Sequence, residues 1–445
     1  MAILNKEEAK KLLEKVIKLS KADECEVSLS GNEGGNIRYA RNAVSTSGDI
    51  STLTLTVNSI FGKKAGTASI NEFDDAALER VVRRSEELAQ LAPENPERMP
   101  LMGPQNFKDG NGYVAATAAM TPDQRADLAA KSLQVAKEAK LEAAGFLENT
   151  TSFTAILNSK GLYAYDIDTN VIFSVTTRNQ EGTGSGYASR GFNDVTKLDT
   201  LSATKIAAQK ANSSVNAKAI EPGKYTVILE PIAATYMLEN MFRGFDARSA
   251  DEGRSFMSKS GGGNRIGEQL MDEKVTVYSD PFHPELPGAT WSRDGLPIEK
   301  MTWIEKGKVK NLSYSRFWAD KKKVQPVPQP SNIIMEGGDG GSIEEMIKST
   351  ERGILITRLW YIRFVDPQTL LLTGLTRDGT FYIENGKIKY PIKNMRFNES
   401  PVIMLNNVES LGKPVRSISV ESNRSYLIPP MKIKDFTFSS LSDAI

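Results

Sequence analysis

Residues 50–59 read ISTLTLTVNS, an almost strict alternation of apolar and small polar side chains. Successive side chains on a strand point to opposite faces, so a period of two puts one face in a core and the other in water. This is the pattern of a half-buried antiparallel strand, and it sets the character of the whole first half. Strand-like segments at 24–30 and 36–44 precede it, and Gly62 and Gly66 punctuate the turn beyond. Leu12, Leu13, Val16, Ile17 and Leu19 approximate a 3.6-residue period with Lys and Glu on the other faces, and residues 74–91 read as a second amphipathic helix. Pro93, Pro96, Pro100 and Pro104 then mark a connection over the surface without regular structure of its own. A long helix is expected over about 121–142, with Thr121-Pro122-Asp123 as its cap and first turn, followed by strands at 153–158, 161–168 and 171–178.

Helices and strands mixed in this way make the first half α+β. Near Glu221-Pro222-Gly223 the texture changes. The strand TVILEP runs directly into an apolar, helix-like stretch at 232–245, and the remainder is strand-rich with one helix expected near 342–351. For 445 residues, length suggests about three domains or two large ones. The expected division is an N-terminal α+β domain at 1–220, including the long middle helix, and a strand-rich C-terminal domain at 221–445. WIEKGKVK at 303–310 and YIENGKIK at 382–389 both read as β-hairpins, with Lys-Gly and Asn-Gly where positive φ is needed. Two hairpins meeting one turn requirement is a simpler reading than a duplicated unit.

Composition excludes more chemistry than any single residue suggests. Lys and Arg number 56 against 55 Asp and Glu, so no global field draws nucleic acid or a membrane surface. Cys25 and His283 are the only Cys and the only His. No HExxH, His₃ or Cys₄ zinc site can be built from this chain alone, and no intramolecular disulfide framework exists. Any imidazole in a catalytic unit would have to be His283, which sits in the proline-rich loop DPFHPELPG without a visible nucleophile or metal partner. The glycine clusters match neither GxGxxG nor GxxxxGK[ST] and read as loops. Lys321-Lys322-Lys323 reads as a solvated face, and Asp166, Asp168, Asp251 and Glu252 as surface charge without calcium-loop spacing. The N-terminus has no apolar signal core, and the most apolar later stretch, 354–365, carries Arg358 and Arg363 and is too short to span a bilayer. The expectation is a soluble, cytoplasmic protein with neither a nucleic-acid nor a membrane partner.

One segment points further. At 224–256 the chain reads KYTVILEPIAATYMLENMFRGFDARSADEGRSF: a strand feeds a helix carrying Glu239, followed by Gly244 and an acidic turn. This closely resembles the central motif of the TldD/PmbA family, also labelled modulators of DNA gyrase, whose peptidase members carry His-Glu-x-x-x-His here. Ordered fragments extend the resemblance over essentially the whole chain. They include NIRYARNAVSTSGDISTLTLTVNSIFGKKAGTASIN, FTAILNSKGLYAYDIDTNVIFSVTTRNQEGTGSGY and GTFYIENGKIKYPIKN.

The departures carry as much information. Aligned on Glu239, the two His positions fall on Leu238 and Arg243. The family's late metal-binding Cys, in a Gly-x-Cys-Gly-Lys context, falls in ESLGKPVRS around Leu411-Gly412-Lys413, which has no Cys. Leucine cannot coordinate a metal, and guanidinium is a permanent cation. A general-base Glu needs metal-activated water, so Glu239 is expected to be an ordinary helix carboxylate in an exposed ion pair with Arg243 at i+4. The resemblance implies a metal-free, non-catalytic subunit with no cofactor, zinc being expected only in a catalytic paralogue. Its implied partners are a second copy or a TldD-like catalytic paralogue, and unfolded or extended peptides. Two other readings remain: a peptidase that borrows ligands from its partner, and a stand-alone peptide-binding scaffold.

Overall fold

The computed structural model describes residues 2–419, 422 and 424–442. Its first half is built on one antiparallel sheet. The strands are β1 (Glu24–Ala40), β2 (Ala43–Phe61), β3 (Lys64–Ile70), β4 (Glu142–Asn158), β5 (Tyr163–Arg178) and β6 (Ser185–Phe192), in the order β3-β2-β1-β4-β5-β6. The expected strand at 36–44 straddles a hairpin turn: Arg41 and Asn42 take positive φ (50° and 58°) between Ala40 and Ala43. No glycine marks that turn, so the strand-like pattern runs through it in the sequence. The three expected strands at 153–158, 161–168 and 171–178 are two long ones. Thr169 and Asn170 look like turn residues, yet the Thr169 hydroxyl donates to Gly112 O and Asn193 O, and the backbone stays in the ladder.

One face of this sheet carries the helices. α1 (Lys6–Ile17) begins at an Asn5–Glu8 capping box, and with α2 (Asp75–Leu91) it buries Leu13, Val16, Leu78 and Val82 against Val27, Leu55 and Val57. After the single turn α3 (Ala115–Ala118), α4 (Pro122–Glu138) starts at a Thr121–Gln124 capping box. It ends four residues before the expected limit, because Glu142 already belongs to β4. α4 and α5 (Thr200–Ser213) cover the other end of the face through Ala129, Leu133, Ala203 and Ala207 packed on Leu147 and Phe173. The proline-rich connection packs Met102 and Phe107 against Ile156, Leu162 and Ala164.

The architecture changes between Ser213 and Gly223. β7 (Gly223–Leu229) pairs in parallel with Arg352–Asp366 and antiparallel with Met431–Leu441. The ladder continues through Met395–Glu399 and Leu371–Glu384 and returns to Arg352–Asp366, closing a five-stranded barrel without free edges. A second sheet of six short strands lies beside it. α6 (Pro231–Phe242) leaves β7 directly and packs between them, against Arg352–Asp366 on one side and Val415–Ile418 and Ser425–Ile428 on the other. A helix enclosed all round must be apolar nearly all round, and every residue from Ala233 to Phe242 is buried.

Besides the expected helix, here Ile343–Lys348, the strand-rich half holds short helices at Ala247–Asp251, Arg316–Lys322 and Pro401–Asn406. The two echoing hairpins lie in different sheets, each with positive φ at both turn residues: Lys306-Gly307 (47°, 75°) and Asn385-Gly386 (49°, 73°). Among the described residues no helix is long and apolar enough to cross a membrane.

Candidate functional site

The site is best built outward from α6. Pro231 at its first turn has the fixed φ a helix start requires, and the run IAATYML carries the chain into the core. Leu238 is fully buried in the same apolar cluster as Leu411, so two of the three family ligand positions are core residues. Arg243 Nη2 donates to Glu239 Oε1 at 3.0 Å, the expected i+4 pair. The pair is exposed on its cationic side only, Arg243 being 55% exposed. The Glu239 carboxylate is only 7% exposed, and its other oxygen accepts from Ser419 Oγ at 2.5 Å. Nothing near position 239 in sequence announces Ser419, which arrives from the far end of the chain.

Glu239 and Arg243 open onto a cleft of about 490 Å³ between the two halves of the molecule. β5 contributes Asp168 and Asn170, and Asn193 follows β6. Arg416 and Arg424 come from the second sheet and its connection. Arg416 is mostly enclosed: Nη1 donates to Glu285 O at 2.7 Å, Nη2 to Ser425 Oγ at 3.3 Å, and the guanidinium lies 5.8 Å from the Phe192 ring. Burial pulls its pKa down to about 10, with Glu285 opposing. Burial, then the neighbouring Glu239 charge, pushes the Tyr426 hydroxyl well above its usual range.

Asp168 is exposed on the cleft, as the surface-charge reading expects. Water reaches its side chain from the cleft, but protein replaces much of the surrounding solvent, and burial followed by Asp166 raises its pKa to about 6. Asp166 corrects that reading: it is half-buried and accepts from the Thr290 and Ile167 amides. Asp251 is structural as well, bonded by Trp318 Nε1, Asn264 Nδ2 and Lys322. Of the four acids read as surface charge, Asp168 and Glu252 are exposed, Glu252 in ion pairs with Arg248 and Arg254. Lys321, Lys322 and Lys323 are all exposed, the solvated face expected, with Lys321 and Lys322 over the Trp318 ring at 4.7 and 5.2 Å. His283 does not line the cleft, and its Nδ1 accepts from the Glu285 amide on its own loop. The Cys25 thiol is buried, which pushes its pKa up and makes it a poor nucleophile.

A zinc ion does not fit these residues. Leu238 and Leu411 offer no donor, Arg243 is cationic, and both Glu239 oxygens are engaged. Among the described residues no three of His, Cys, Asp or Glu gather into a possible metal cage.

This fold, a helix-covered antiparallel sheet joined to a closed barrel, superposes on solved structures over nearly its whole length. TldE from Thermococcus kodakarensis superposes with a TM-score of 0.86 at 18% identity, over 97% of this chain and 99% of that one. Among curated relatives, the metalloprotease PmbA of Escherichia coli O157:H7 is 21% identical over 97% of this chain and 98% of its own length. A metalloprotease of Methanothermobacter thermautotrophicus is 22% identical over 60% of this chain, which spans 61% of that relative's length. Sequence models of the PmbA/TldA metallopeptidase match as domain 1 at 25–89, central domain at 116–215 and C-terminal domain at 222–440. The chain belongs to the PmbA/TldD metallopeptidase family. The first two of those models divide what is here one continuous sheet, because β1 pairs with β4 across them.

Proposed function

We propose that this chain is a metal-free, non-catalytic subunit of a metallopeptidase complex acting on unfolded or extended peptides. It works as a dimer, either with a second copy or with a paralogue that keeps His-Glu-x-x-x-His. The observation that supports this is α6 itself: where the peptidase motif needs two imidazoles, the helix puts a core leucine and an arginine tied to the motif's own glutamate. Borrowed ligands from a partner are disfavoured by the same geometry, since the chain's own ligand positions hold two core leucines and a cation. The contribution of this subunit is surface, a polar cleft that forms part of the wall around the peptide. Balanced charge and a single buried cysteine suit a cytoplasmic role without nucleic acid.

The test is association and activity together. Stable interfaces bury on the order of 1,200–2,000 Å² or more, so sedimentation should show a dimer at micromolar concentration, alone or with the paralogue. The chain alone should not cleave an unfolded substrate such as reduced casein, and the mixture should. A clean monomer under both conditions refutes the subunit reading, and co-purification without a catalytic paralogue favours a scaffold. Metal-dependent cleavage by the chain alone would make it a peptidase.

A further inference from the structure

We infer that the cleft beside α6 binds a carboxylate, anchored by Arg416 and Arg424, and that an extended peptide carries it. The choice of a peptide as carrier rests on the function proposed above.

The cleft holds an unbalanced charge. Arg416 is a permanent cation, mostly enclosed, and among the described residues no carboxylate lies within ion-pair distance of it. Its Nη atoms are satisfied by a backbone oxygen and a hydroxyl, while its buried Nε has no partner. Removing a charge from water without a counter-ion is costly, and such a cost is retained where a ligand repays it. Arg424, exposed on the same cleft, also lacks a carboxylate partner among the described residues. The acids already present do not fill that role. Glu239 is held by Arg243 and Ser419, and both burial and Asp166 work against charge on Asp168. Guanidinium groups pair with carboxylates in a planar, two-bond geometry, which makes a carboxylate the matching anion.

One further atom favours a peptide over a phosphate. Asn193 Nδ2 donates to Gly112 O and Thr169 O, which fixes the amide and leaves Oδ1 as a buried acceptor with no donor. Ser331 Oγ, also lining the cleft, is buried and unpartnered. A carbonyl acceptor beside cationic anchors repels phosphate oxygens but suits a peptide N–H next to a carboxylate.

Calorimetric titration of the purified full-length chain tests this with one N-acetylated octapeptide of Gly, Ser, Ala and Leu. Three forms are compared: free C-terminal acid, C-terminal amide, and an amide carrying one internal Glu. At least one acid-bearing form should bind about tenfold or more tightly than the neutral amide, and the better of the two identifies a C-terminal or side-chain carboxylate. Arg424→Gln, at an exposed position, should cut that preference by about tenfold, and Arg416→Gln should do the same if its melting curve shows a folded protein. Equal binding of all three forms overturns the carboxylate inference and leaves peptide handling intact. Binding of none overturns both. Tighter binding of a short single-stranded oligonucleotide than of any peptide also overturns the inference.

Discussion

The Glu239 carboxylate accepts from Arg243 on one oxygen and Ser419 on the other, with only 7% of its side chain exposed. A base must reach the water it deprotonates, and that water owes its acidity to a metal these neighbours cannot hold. Glu239→Gln should therefore change the activity of an assembled complex by less than about threefold, against the ~10²-fold expected for loss of a general base. The same change in the catalytic paralogue serves as control. If turnover vanished while the complex stayed assembled, Glu239 would be contributing chemistry. Stability is another matter. Exchanging a buried, twice-bonded carboxylate should cost about 1–3 kcal/mol by denaturant titration, more than the exposed pair read from sequence would have implied. Asp168 makes a pH-dependent prediction. Its folded pKa of about 6 lies above the ordinary carboxylate value, so the folded state holds the proton more tightly than the unfolded chain. Its favourable contribution is complete below about pH 4 and is lost as pH rises through 6. Asp168→Asn should raise the melting temperature at pH 7.5 by a few degrees at most, since water reaches the carboxylate, and the gain should disappear by pH 4. An equal gain at both pH values would contradict this origin.

Hairpins and helices differed in how much of themselves they wrote locally. Asn385-Gly386 was legible because a two-residue turn with both φ positive selects Asn and Gly, whereas Arg41-Asn42 does the same work without the signature. Gly386 has a second reason to be glycine, since a Cβ there would meet Lys348 O at 2.7 Å. Gly62 also has positive φ but open space around it. Gly62→Ala should cost about 1 kcal/mol from backbone strain, and Gly386→Ala clearly more, as compared by chemical denaturation. Equal costs would mean that the Lys348 contact relaxes freely. α6 was visible as an apolar run but its all-round burial was not, because the strands packed against it, Arg352–Asp366, Val415–Ile418 and Ser425–Ile428, lie far along the chain. Asp166 and Asp251 were misread for the same reason: Thr290 and Trp318, which satisfy them, lie 124 and 67 residues away. Local spacing reports periodicity and turns, and says little about partners supplied by tertiary folding.

Across the whole molecule, buried charges join the two halves. Lys210 on α5 meets Glu230 at the start of α6 at 2.6 Å, and Arg358 on the barrel stacks 4.1 Å from the Tyr187 ring of β6. Arg358 also faces Asp378 at 3.0 Å, and the Ser185 hydroxyl of β6 donates to that same carboxylate. Opening the seam would break the Lys210–Glu230 pair and take Ser185 and Tyr187 away from the buried Arg358–Asp378 pair, so the cleft lies along a seam that resists opening. A fixed wall suits a subunit that supplies surface while its partner supplies chemistry. The absence of ligands at the motif is the centre of that account, and metal content tests it most directly. The chain, purified without chelator or affinity metal, should carry well under ~0.1 zinc per chain by elemental analysis, because a tight site needs three or four donors. About one zinc per chain, retained through dialysis, would contradict the account.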